Sequence, residues 1–428
     1  MTPPSAQREK TAPIVSEDRI SDLRAVLRLS RELGASTELM PLLQKVESAA
    51  LEVIGCERAT VFVYDAASHE LYSSVATGVN TIRFSADHGI AGEAVRTREV
   101  IHVPDAYADE RFNPEIDRAT GFRTRNMITI PLTGIYSAVV GVLQVLNKTD
   151  GQFDAWDHEL VQTFGAQVGV ALQRQLLLEH YAEKQRIQHD LSIARGIQQG
   201  LIPQHPAEVA GFEVAGWNRP ADETGGDCYD YVEREDGSLA MTIADATGHG
   251  IGPALMIAEC RALFRACVSI SRDLGEITAR VNNLLCDDLP DDRFVTAFFG
   301  IVNPESGTLS YLSGGHGPLF KYTRATDEFE ELPANGFPLG IMPDAPWPEP
   351  EVFKMAPGDL FVIVTDGFFE CMNPDRVQLG TERLTDVIRS LRDRPCGELI
   401  AGMHQAVLDW VGNQPQDDDL TALVIRKL

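Results

Sequence analysis

The stretch Ile243-Ala244-Asp245-Ala246-Thr247-Gly248-His249-Gly250-Ile251-Gly252-Pro253-Ala254 joins an apolar run, a carboxylate, a glycine-rich turn and the start of a helix. The apolar run predicts a strand that is buried on both faces, and Asp245 stands at its end. The glycines of the turn let the backbone bend tightly and come close to a ligand. From Pro253 onward, apolar residues recur at helical spacing. The stretch therefore predicts a buried strand that delivers a carboxylate to a tight turn in front of a helix.

Three further acidic segments stand at the ends of apolar runs or beside glycines: Gly225-Gly226-Asp227-Cys228-Tyr229-Asp230, Leu360-Phe361-Val362-Ile363-Val364-Thr365-Asp366-Gly367 and Asp417-Asp418-Asp419-Leu420-Thr421-Ala422-Leu423-Val424-Ile425. Hard cations such as Mg²⁺ and Mn²⁺ bind a few carboxylate oxygens together with water. Two such ions, roughly 3.5–4 Å apart, activate a bridging water and hold a phosphoryl group. Each aspartate alone is better explained as a turn residue or a solvated side chain, so the metal-centre hypothesis depends on the ordered set.

Six segments in the second half of the chain form that ordered set: Gly225-Gly226-Asp227-Cys228-Tyr229-Asp230, Asp245-Ala246-Thr247-Gly248-His249-Gly250, Gly314-Gly315-His316-Gly317-Pro318, Pro357-Gly358-Asp359, Thr365-Asp366-Gly367-Phe368-Phe369-Glu370 and Asp418-Asp419-Leu420-Thr421. The set resembles the metal-dependent Ser/Thr protein phosphatases of the type 2C class. It is most similar to the bacterial branch of the stage II sporulation protein E and the stress-response sigma-regulation phosphatases. The resemblance covers roughly residues 185–428 and implies an αββα sandwich.

The resemblance assigns catalytic and metal-binding roles to individual residues. Asp245 is expected to bridge two Mn²⁺ or Mg²⁺ ions, with the backbone carbonyl of Ala246 assisting. Asp227 would bind one ion, directly or through water, and Asp366 and Asp418 would hold the other. The implied reaction is hydrolysis of a phosphoprotein by a protein-serine/threonine phosphatase, without a covalent enzyme intermediate.

The same resemblance decides between two neighbouring aspartates and gives a further one a secondary role. Asp418 is preferred to Asp419 because the family ligand lies three residues before a threonine, here Thr421. Asp230 is expected either to support the ligands from behind or to act as an alternative ligand.

Two histidines could take part in the chemistry. His249 is a candidate general acid for the leaving serine oxygen, or equally a structural residue of the glycine turn. His316 is expected to stabilise a loop. No arginine matches the phosphate clamp of the eukaryotic members, so the metals and the backbone amides of residues 248–250 are expected to hold the phosphate.

Length, charge and cysteine usage narrow the class of protein. A chain of 428 residues is too long for one ordinary core and predicts two or three domains. The net charge of −26 argues against a nucleic-acid binder. Seven cysteines without Cys-x-x-Cys pairs favour reduced thiols in a cytoplasmic protein. No apolar run approaches the ~20 residues of a transmembrane helix, and the first ten residues lack the apolar core of a signal peptide.

Outside the phosphatase region, the pattern predicts a tail, a helix, a sensory module and a linker. Prolines among polar residues predict a disordered tail over residues 1–16. Residues 17–36 form a helix that packs either against a second copy or on its own domain. Residues 37–172 predict one α/β module, residues 173–203 a helical linker, and residues 204–428 the phosphatase domain. The fold class is therefore α/β (α+β).

The module over residues 37–172 resembles a GAF domain, a sensory fold with an antiparallel sheet and flanking helices. The likeness is strongest to the cyclic-nucleotide-binding members, on Gly89-Ile90-Ala91-Gly92, Thr120-Gly121-Phe122-Arg123-Thr124-Arg125-Asn126-Met127, and Asn147-Lys148 followed by Phe153 and Asp157. His158 stands where that pattern has a glutamate. Asn147, Lys148 and Asp157 could therefore bind a cyclic nucleotide or form an internal latch, and the latch is favoured. Arg123 and Arg125 could face a phosphate or lie in solvent.

The linker carries a heptad-like pattern at Ile187, Leu191, Ala194, Gln198 and Leu201. It continues the last GAF helix without a glycine or proline break, so it could transmit a signal and pair two chains in a homodimer. The alternative is a passive connector that docks on the phosphatase domain. The segment from Ala194 to Pro203 also resembles the element that precedes the catalytic domain in the sigma-regulation phosphatases, which favours the transmitting role.

The favoured function is a cytoplasmic phosphatase under control of a GAF domain. By resemblance its substrate is a phosphorylated STAS-type anti-sigma-factor antagonist in a partner-switching pathway. Two alternatives stand beside it: a ligand-sensing scaffold with an inactive phosphatase fold, and a hydrolase of small phosphate compounds. Loss of any metal-binding aspartate would favour the scaffold, but all four positions are filled.

Overall fold

The structure is a computed structural model that describes residues 17–73, 82–248 and 250–428. The predicted tail, residues 1–16, and His249 lie outside the described residues. The chain divides into two compact units, Met1–Arg186 and Ile187–Leu428. The boundary falls inside a single helix, so each unit is described by itself.

The first unit is a six-stranded antiparallel sheet with helices packed against it. Its strands are β1 (Cys56–Asp65), β2 (Glu70–Ser73), β3 (Ile82–Ser85), β4 (Ile101–Val103), β5 (Met127–Thr133) and β6 (Val139–Lys148), in the order β3-β2-β1-β6-β5-β4. Its helices are α1 (Glu17–Gly34), α2 (Leu39–Ala50), α3 (Gly89–Thr97), α4 (Glu115–Thr120) and the first part of α5 (Ala155–Leu201).

The strands β5 and β6 contribute many of the buried side chains in the core of this unit. Six of the seven residues of β5 are buried, because helices cover the sheet on its two faces. Ile128, Ile130 and Leu132 face the cluster made by α2 and α5, which includes Val46 and Phe164. Alternate side chains of a strand point to opposite faces, so β5 and β6 serve both layers.

The second unit contains two five-stranded antiparallel sheets. The first sheet has the order β14-β11-β10-β9-β8, with β8 (Asp227–Glu233), β9 (Leu239–Ala246), β10 (Val295–Asn303), β11 (Thr308–Gly314) and β14 (Glu351–Lys354). The second has the order β13-β12-β15-β16-β7, with β7 (Phe212–Arg219), β12 (Leu319–Thr323), β13 (Glu328–Leu332), β15 (Leu360–Val364) and β16 (Leu420–Lys427). Its helices after α5 are α6 (Ile251–Ile270), α7 (Leu274–Asp288), α8 (Gly367–Glu370), α9 (Gly380–Leu391) and α10 (Cys396–Val411).

The period-2 pattern of two strands sets the order of the layers. In β9, Met241 and Ile243 join the core between the two sheets, whereas Ala244 packs with α6 and α7. In β15, Phe361 enters the same inter-sheet core, whereas Val362 packs against α9 and α10. The unit is therefore helix–sheet–sheet–helix, and the predicted fold class of antiparallel GAF sheet plus αββα sandwich is confirmed.

The helix α5 spans 47 residues from Ala155 to Leu201 without interruption. Its residues 181–190 are exposed on every side. Within the described ranges, none of the helices is both long enough and apolar enough to cross a bilayer.

Candidate active site

Two predicted metal ligands lie side by side on neighbouring strands of the first sheet of the second unit. Asp227 opens β8 and is the antiparallel partner of Asp245 near the end of β9. Asp227 is 3% exposed, and Asp245 is half-buried. The amide of Ala246 donates to the carbonyl oxygen of Gly226 at 2.9 Å, which fixes the register where the two carboxylates stand. Cross-strand partners have Cβ atoms about 4.5–5.5 Å apart, so the two side chains can share one ion.

The second sheet brings two more carboxylates to the same end of the sandwich. Asp366 follows β15 and precedes the short helix α8, while Asp418 lies two residues before β16. The amide of Thr365 donates to the carbonyl of Thr421 at 3.0 Å, and the amide of Thr421 donates to Thr365 Oγ1 at 2.9 Å. These two hydrogen bonds hold the Asp366 and Asp418 segments next to each other.

A threonine joins the two sheets at the site. Thr421 Oγ1 donates to Asp227 Oδ2 at 2.8 Å, and it accepts from Asn218 Nδ2 at 2.8 Å. Thr421 is fully buried, so this hydroxyl has little access to water. The contact links Asp227 of the first sheet to the strand that follows Asp418 in the second sheet.

The adjacent residue Asp419 has a structural part in the site. Its Oδ1 accepts from the amide of Ala221 at 2.7 Å, and its Oδ2 accepts from the amide of Gly226 at 2.5 Å. Asp418 is exposed, and its Oδ1 accepts from the amide of Asp419 at 2.8 Å. The side chain of Asp419 therefore binds the loop in front of Asp227, whereas Asp418 lies open to a ligand.

Burial and mutual repulsion raise the pKa values of the site carboxyls. Burial, followed by the charges of Asp366 and Asp418, raises the pKa of Asp245 to about 8. Burial and then Asp418 raise the pKa of Asp366 to about 6. Burial and then Asp245 hold the pKa of Asp227 well above its usual range. Among the described residues, no lysine or arginine forms an ion pair with these carboxyls, so a bound cation would relieve the repulsion.

The chemistry of the donors fits a Mg²⁺ or Mn²⁺ ion that keeps several waters, and it does not fit an ion whose ligands all come from the protein. Nowhere in the described residues do three or more His, Cys, Asp or Glu side chains gather into a group that could hold a metal ion. Mg²⁺ dehydrates reluctantly and is usually held by one or two carboxylates with several waters. The cross-strand pair of Asp227 and Asp245 matches that preference, and its oxygen donors differ from the nitrogen and sulfur ligands of a zinc site.

Asp230 lies away from the other carboxylates. Its fully buried carboxylate lies 2.9 Å from Arg261 Nε and 2.5 Å from Arg265 Nε, both on α6. A carboxylate held by two guanidinium groups is already neutralised. We therefore interpret Asp230 as the ion-pair anchor that ties β8 to α6, not as an alternative metal ligand.

Of the two histidines, His316 has a defined setting. It is 3% exposed, its Nδ1 lies 3.3 Å from Thr296 Oγ1, and its carbonyl accepts from Ser313 Oγ. Burial lowers the pKa of His316 to about 4, so the ring is neutral at physiological pH. Thr296 is the strand partner of Asp245, which places His316 directly behind the site. No contact is available for the proposed general acid His249, which lies outside the described residues.

One residue near the site carries no functional motif in the sequence. Gln198, near the end of α5, donates from Nε2 to the carbonyl of Gly225 at 2.6 Å and accepts from the amide of Gly225 at 3.0 Å. Gly225 lies two residues before Asp227. The sequence marks Gln198 only as a polar residue in a heptad-like pattern, and nothing local indicates its partner.

In the first unit, Asn147, Lys148 and Asp157 form hydrogen bonds within the protein. Lys148 Nζ donates to Asp157 Oδ1 at 2.7 Å and to the carbonyl of Ile54 at 2.6 Å. Asn147 is fully buried and binds Glu57 Oε2 at 2.8 Å and the carbonyl of Arg123 at 2.9 Å. These contacts are those of an internal latch that ties β6 to the start of α5.

The two candidate phosphate-binding arginines of this unit face outward. Arg125 pairs with Glu57 at 2.7 Å, and the guanidinium of Arg123 lies over the ring of Tyr107 at 5.4 Å. A cavity of about 570 Å³ lies instead between α3, β3 and the segment 110–116, with Phe62, Phe84, Ile90, Phe112 and Met127 in its wall. Neither arginine lines it.

Comparison with known proteins identifies both units. Residues 235–428 match the family described as stage II sporulation protein E (SpoIIE), and residues 38–172 match the GAF domain family. The chain is 25% identical over 247 residues to the phosphoserine phosphatase RsbU of Bacillus subtilis, which is 57% of this chain and 72% of that protein.

Two further relatives extend this comparison. The SiaA-PP2C domain of Pseudomonas aeruginosa has 25% identity and a TM-score of 0.51 over 57% of this chain and 98% of that domain. A probable 3',5'-cyclic phosphodiesterase of Caenorhabditis elegans is 32% identical over 142 residues, which is 30% of this chain but only 19% of that protein. The predicted combination of a GAF domain and a SpoIIE-type phosphatase domain is confirmed.

Proposed function

Because the chain joins a GAF domain to a phosphatase domain of the SpoIIE family, we propose that it hydrolyses phosphoserine or phosphothreonine in a protein substrate with two Mn²⁺ or Mg²⁺ ions. The observation that supports this most directly is the cross-strand pair of Asp227 and Asp245, joined through Thr421 to the segments of Asp366 and Asp418.

The ions, when bound, would activate water and neutralise charge on the transferring phosphoryl group. Asp245 would hold both ions, a role supported by its pairing with Asp227 across the strands and by the effect of the charges of Asp366 and Asp418 on its carboxyl. Thr421 orients Asp227 through its hydroxyl, and Asp419 fixes the loop in front of it. The ring of His316 is neutral and buried, so it supports the site and exchanges no proton with the substrate.

The substrate we propose is a phosphorylated STAS-type anti-sigma-factor antagonist. The similarity to the phosphoserine phosphatase RsbU over the catalytic half supports a phosphoserine protein as the substrate class. The direct test is hydrolysis of such a phospho-antagonist in parallel with nucleotide substrates. Faster turnover of the nucleotides would contradict the proposal.

We further propose that α5 transmits the state of the GAF domain to the site. Lys148 and Asp157 hold the start of this helix to the GAF sheet, and Gln198 holds its end to Gly225. Rotation or displacement of the helix end would act on the backbone that leads into Asp227. Deletion of residues 1–170 should therefore change Mn²⁺-dependent turnover severalfold. An unchanged rate would show that the GAF domain does not regulate the phosphatase activity.

We also propose that two chains pair through this helix. Leu177, Leu178 and Tyr181 are exposed apolar residues on α5, at 58%, 45% and 62% exposure. A helical segment that exposes such residues is stabilised by packing against a partner. Light scattering should show a dimer, and Leu177→Glu together with Tyr181→Glu should give a monomer. A wild-type monomer at micromolar concentration would contradict the proposal.

We propose that the ligand of the GAF domain is a small molecule in the cavity of about 570 Å³. A cyclic nucleotide remains the candidate that the similarity to phosphodiesterases supports. Hydrolysis of p-nitrophenyl phosphate by the full chain should need Mn²⁺ and stop in EDTA. A shift of that rate with cyclic AMP or cyclic GMP would support the nucleotide, whereas an unchanged rate would exclude it.

A further inference from the structure

A cavity of about 380 Å³ lies beside the candidate metal centre in the phosphatase unit. It lies between the segment after α8, the end of α10 and the loop that follows α10. Five apolar side chains contribute to its wall: Met372, Val407, Leu408, Val411 and Leu420. Asp418 and Gly367, the residue after Asp366, also line it. The cavity is therefore continuous with the carboxylate site.

The walls of the cavity are fixed by hydrogen bonds. Gln416 Nε2 donates to the carbonyls of Arg219 at 3.0 Å and Asp418 at 2.8 Å, which holds the loop after α10. Trp410 Nε1 donates to the carbonyl of Val377 at 3.0 Å, which ties α10 to the segment after α8. A preformed apolar concavity of this kind is typical of a binding site.

Apolar side chains in this cavity remain accessible. Met372 and Leu408 are 42% and 41% exposed, although each has a neighbour on the same segment that is more deeply buried. Methionine adapts its shape to different apolar partners. The rim carries the acidic residues Glu370 and Asp417. This combination favours an apolar occupant and disfavours an acidic one.

We propose that this cavity binds an apolar side chain of the phosphoprotein substrate, within three residues of the phosphorylated serine or threonine. The inference rests on the proposed function, because it concerns the protein part of that substrate. An extended chain advances at most ~3.3–3.6 Å per residue, so a side chain up to three residues away reaches a pocket that shares a wall with the metal centre. The cavity thus selects phosphorylation sites by their flanking sequence.

The arginine of the cavity does not reverse this selectivity. Arg219 lines the same cavity, and its guanidinium lies 3.0 Å from His404 Nε2. Apart from Asp418, which the proposed function assigns to a metal ion, the lining contains two carboxylates, Glu370 and Asp417, against this one guanidinium. A glutamate in the flanking sequence therefore meets net negative charge, whereas a leucine gains contact with Met372 and Leu408.

The test uses synthetic ten-residue phosphoserine peptides in which leucine or glutamate replaces alanine at each position from −3 to +3. The full-length protein with Mn²⁺ should prefer leucine to glutamate about tenfold in kcat/KM at one or two of these positions. In Leu408→Lys and in Met372→Lys, which remove apolar contact and add a positive charge, this ratio should fall to one or below. The matched control is Val352→Lys, which changes an exposed apolar residue on β14 and should keep the wild-type ratio.

The outcomes separate this inference from the function on which it rests. Hydrolysis of the peptides with equal kcat/KM for leucine and glutamate at every position overturns the inference and leaves the phosphatase activity standing. A wild-type ratio in both cavity variants overturns it as well. Hydrolysis of p-nitrophenyl phosphate without hydrolysis of any phosphoserine peptide overturns the proposed function, and the inference with it.

Discussion

Replacement of Gln198 by alanine tests whether the end of α5 controls the metal centre. The side chain forms two hydrogen bonds with the backbone of Gly225, at 2.6 and 3.0 Å. The next residue, Gly226, donates to Asp419 Oδ2 and accepts from Ala246, and Asp227 follows. Removal of the amide group frees the segment that positions the cross-strand pair of carboxylates.

The size of the effect follows from the two lost hydrogen bonds. Each contributes about 0.5–1.5 kcal/mol net, so the pair contributes about 1–3 kcal/mol. If that energy couples the helix to the ligand geometry, the apparent Mn²⁺ affinity of Gln198→Ala falls by about 5- to 150-fold. Overall stability changes less, because both sheets and their cores remain intact.

The assay is a Mn²⁺ titration of p-nitrophenyl phosphate hydrolysis, together with thermal unfolding in EDTA. The matched control is Gln199→Ala, an exposed neighbour on the same helix. We expect the metal titration of Gln198→Ala to shift while that of Gln199→Ala does not. The reasoning is refuted if Gln198→Ala binds Mn²⁺ and turns over like the wild type, or if both variants lose the same amount.

Three other predictions concern single carboxyl groups. Asp245→Asn should abolish Mn²⁺-dependent hydrolysis, and undiminished hydrolysis would contradict the two-metal site. In EDTA the same variant should raise the unfolding temperature by about 2–4 °C, because relief of roughly 1 kcal/mol of repulsion between carboxylates gives a shift of that size. Asp230→Ala should lower the free energy of unfolding, measured in urea, by about 3–5 kcal/mol because it leaves two arginines unpaired. Arg265→Ala should lower it by about 1 kcal/mol or less, because the Arg265 side chain is 45% exposed. Equal losses in the two variants would argue against the ion-pair anchor. Burial raises the pKa of Glu47 from 4.5 to about 7, so the contribution of this group to GAF stability should be full below pH 4.5 and be lost as the pH rises through 7. Glu47→Gln should therefore stabilise the domain at pH 8 but not at pH 4 in thermal unfolding, and a variant that unfolds like the wild type at pH 8 would contradict this explanation.

Much of the phosphatase domain could be predicted because its signals are local. The run from Met241 to Ala244 is apolar except for Thr242, and the structure buries it between a second sheet and two helices. The order of the aspartate motifs then brought Asp227, Asp245, Asp366 and Asp418 to one end of the sandwich. A strand with both faces covered has no polar alternation, which is why its pattern is easy to recognise.

The contacts that the sequence did not reveal are long-range and polar. Asp230 is paired with Arg265, 35 positions later, and Asp419 contacts Gly226, 193 positions earlier. Neither pairing leaves a periodic trace, since a hydrogen bond needs one suitable side chain at one place. For the same reason, Gln198 could be recognised as part of a helix but not as a clamp on Gly225.

The uninterrupted helix α5 also limits how such a protein can change in length. At 1.5 Å per residue, its 47 residues extend about 70 Å, and each residue adds a turn of about 100°. Asp157, which binds Lys148, and Gln198 are the two anchoring side chains of this helix. Insertion of one residue between them would rotate one anchor relative to the other by that angle, whereas insertion of seven residues would leave them only ~20° out of phase. If α5 transmits the state of the GAF domain as proposed, linkers that keep both anchors should therefore differ in steps of seven residues, and chimeras with other sensory domains should be regulated only in that phase.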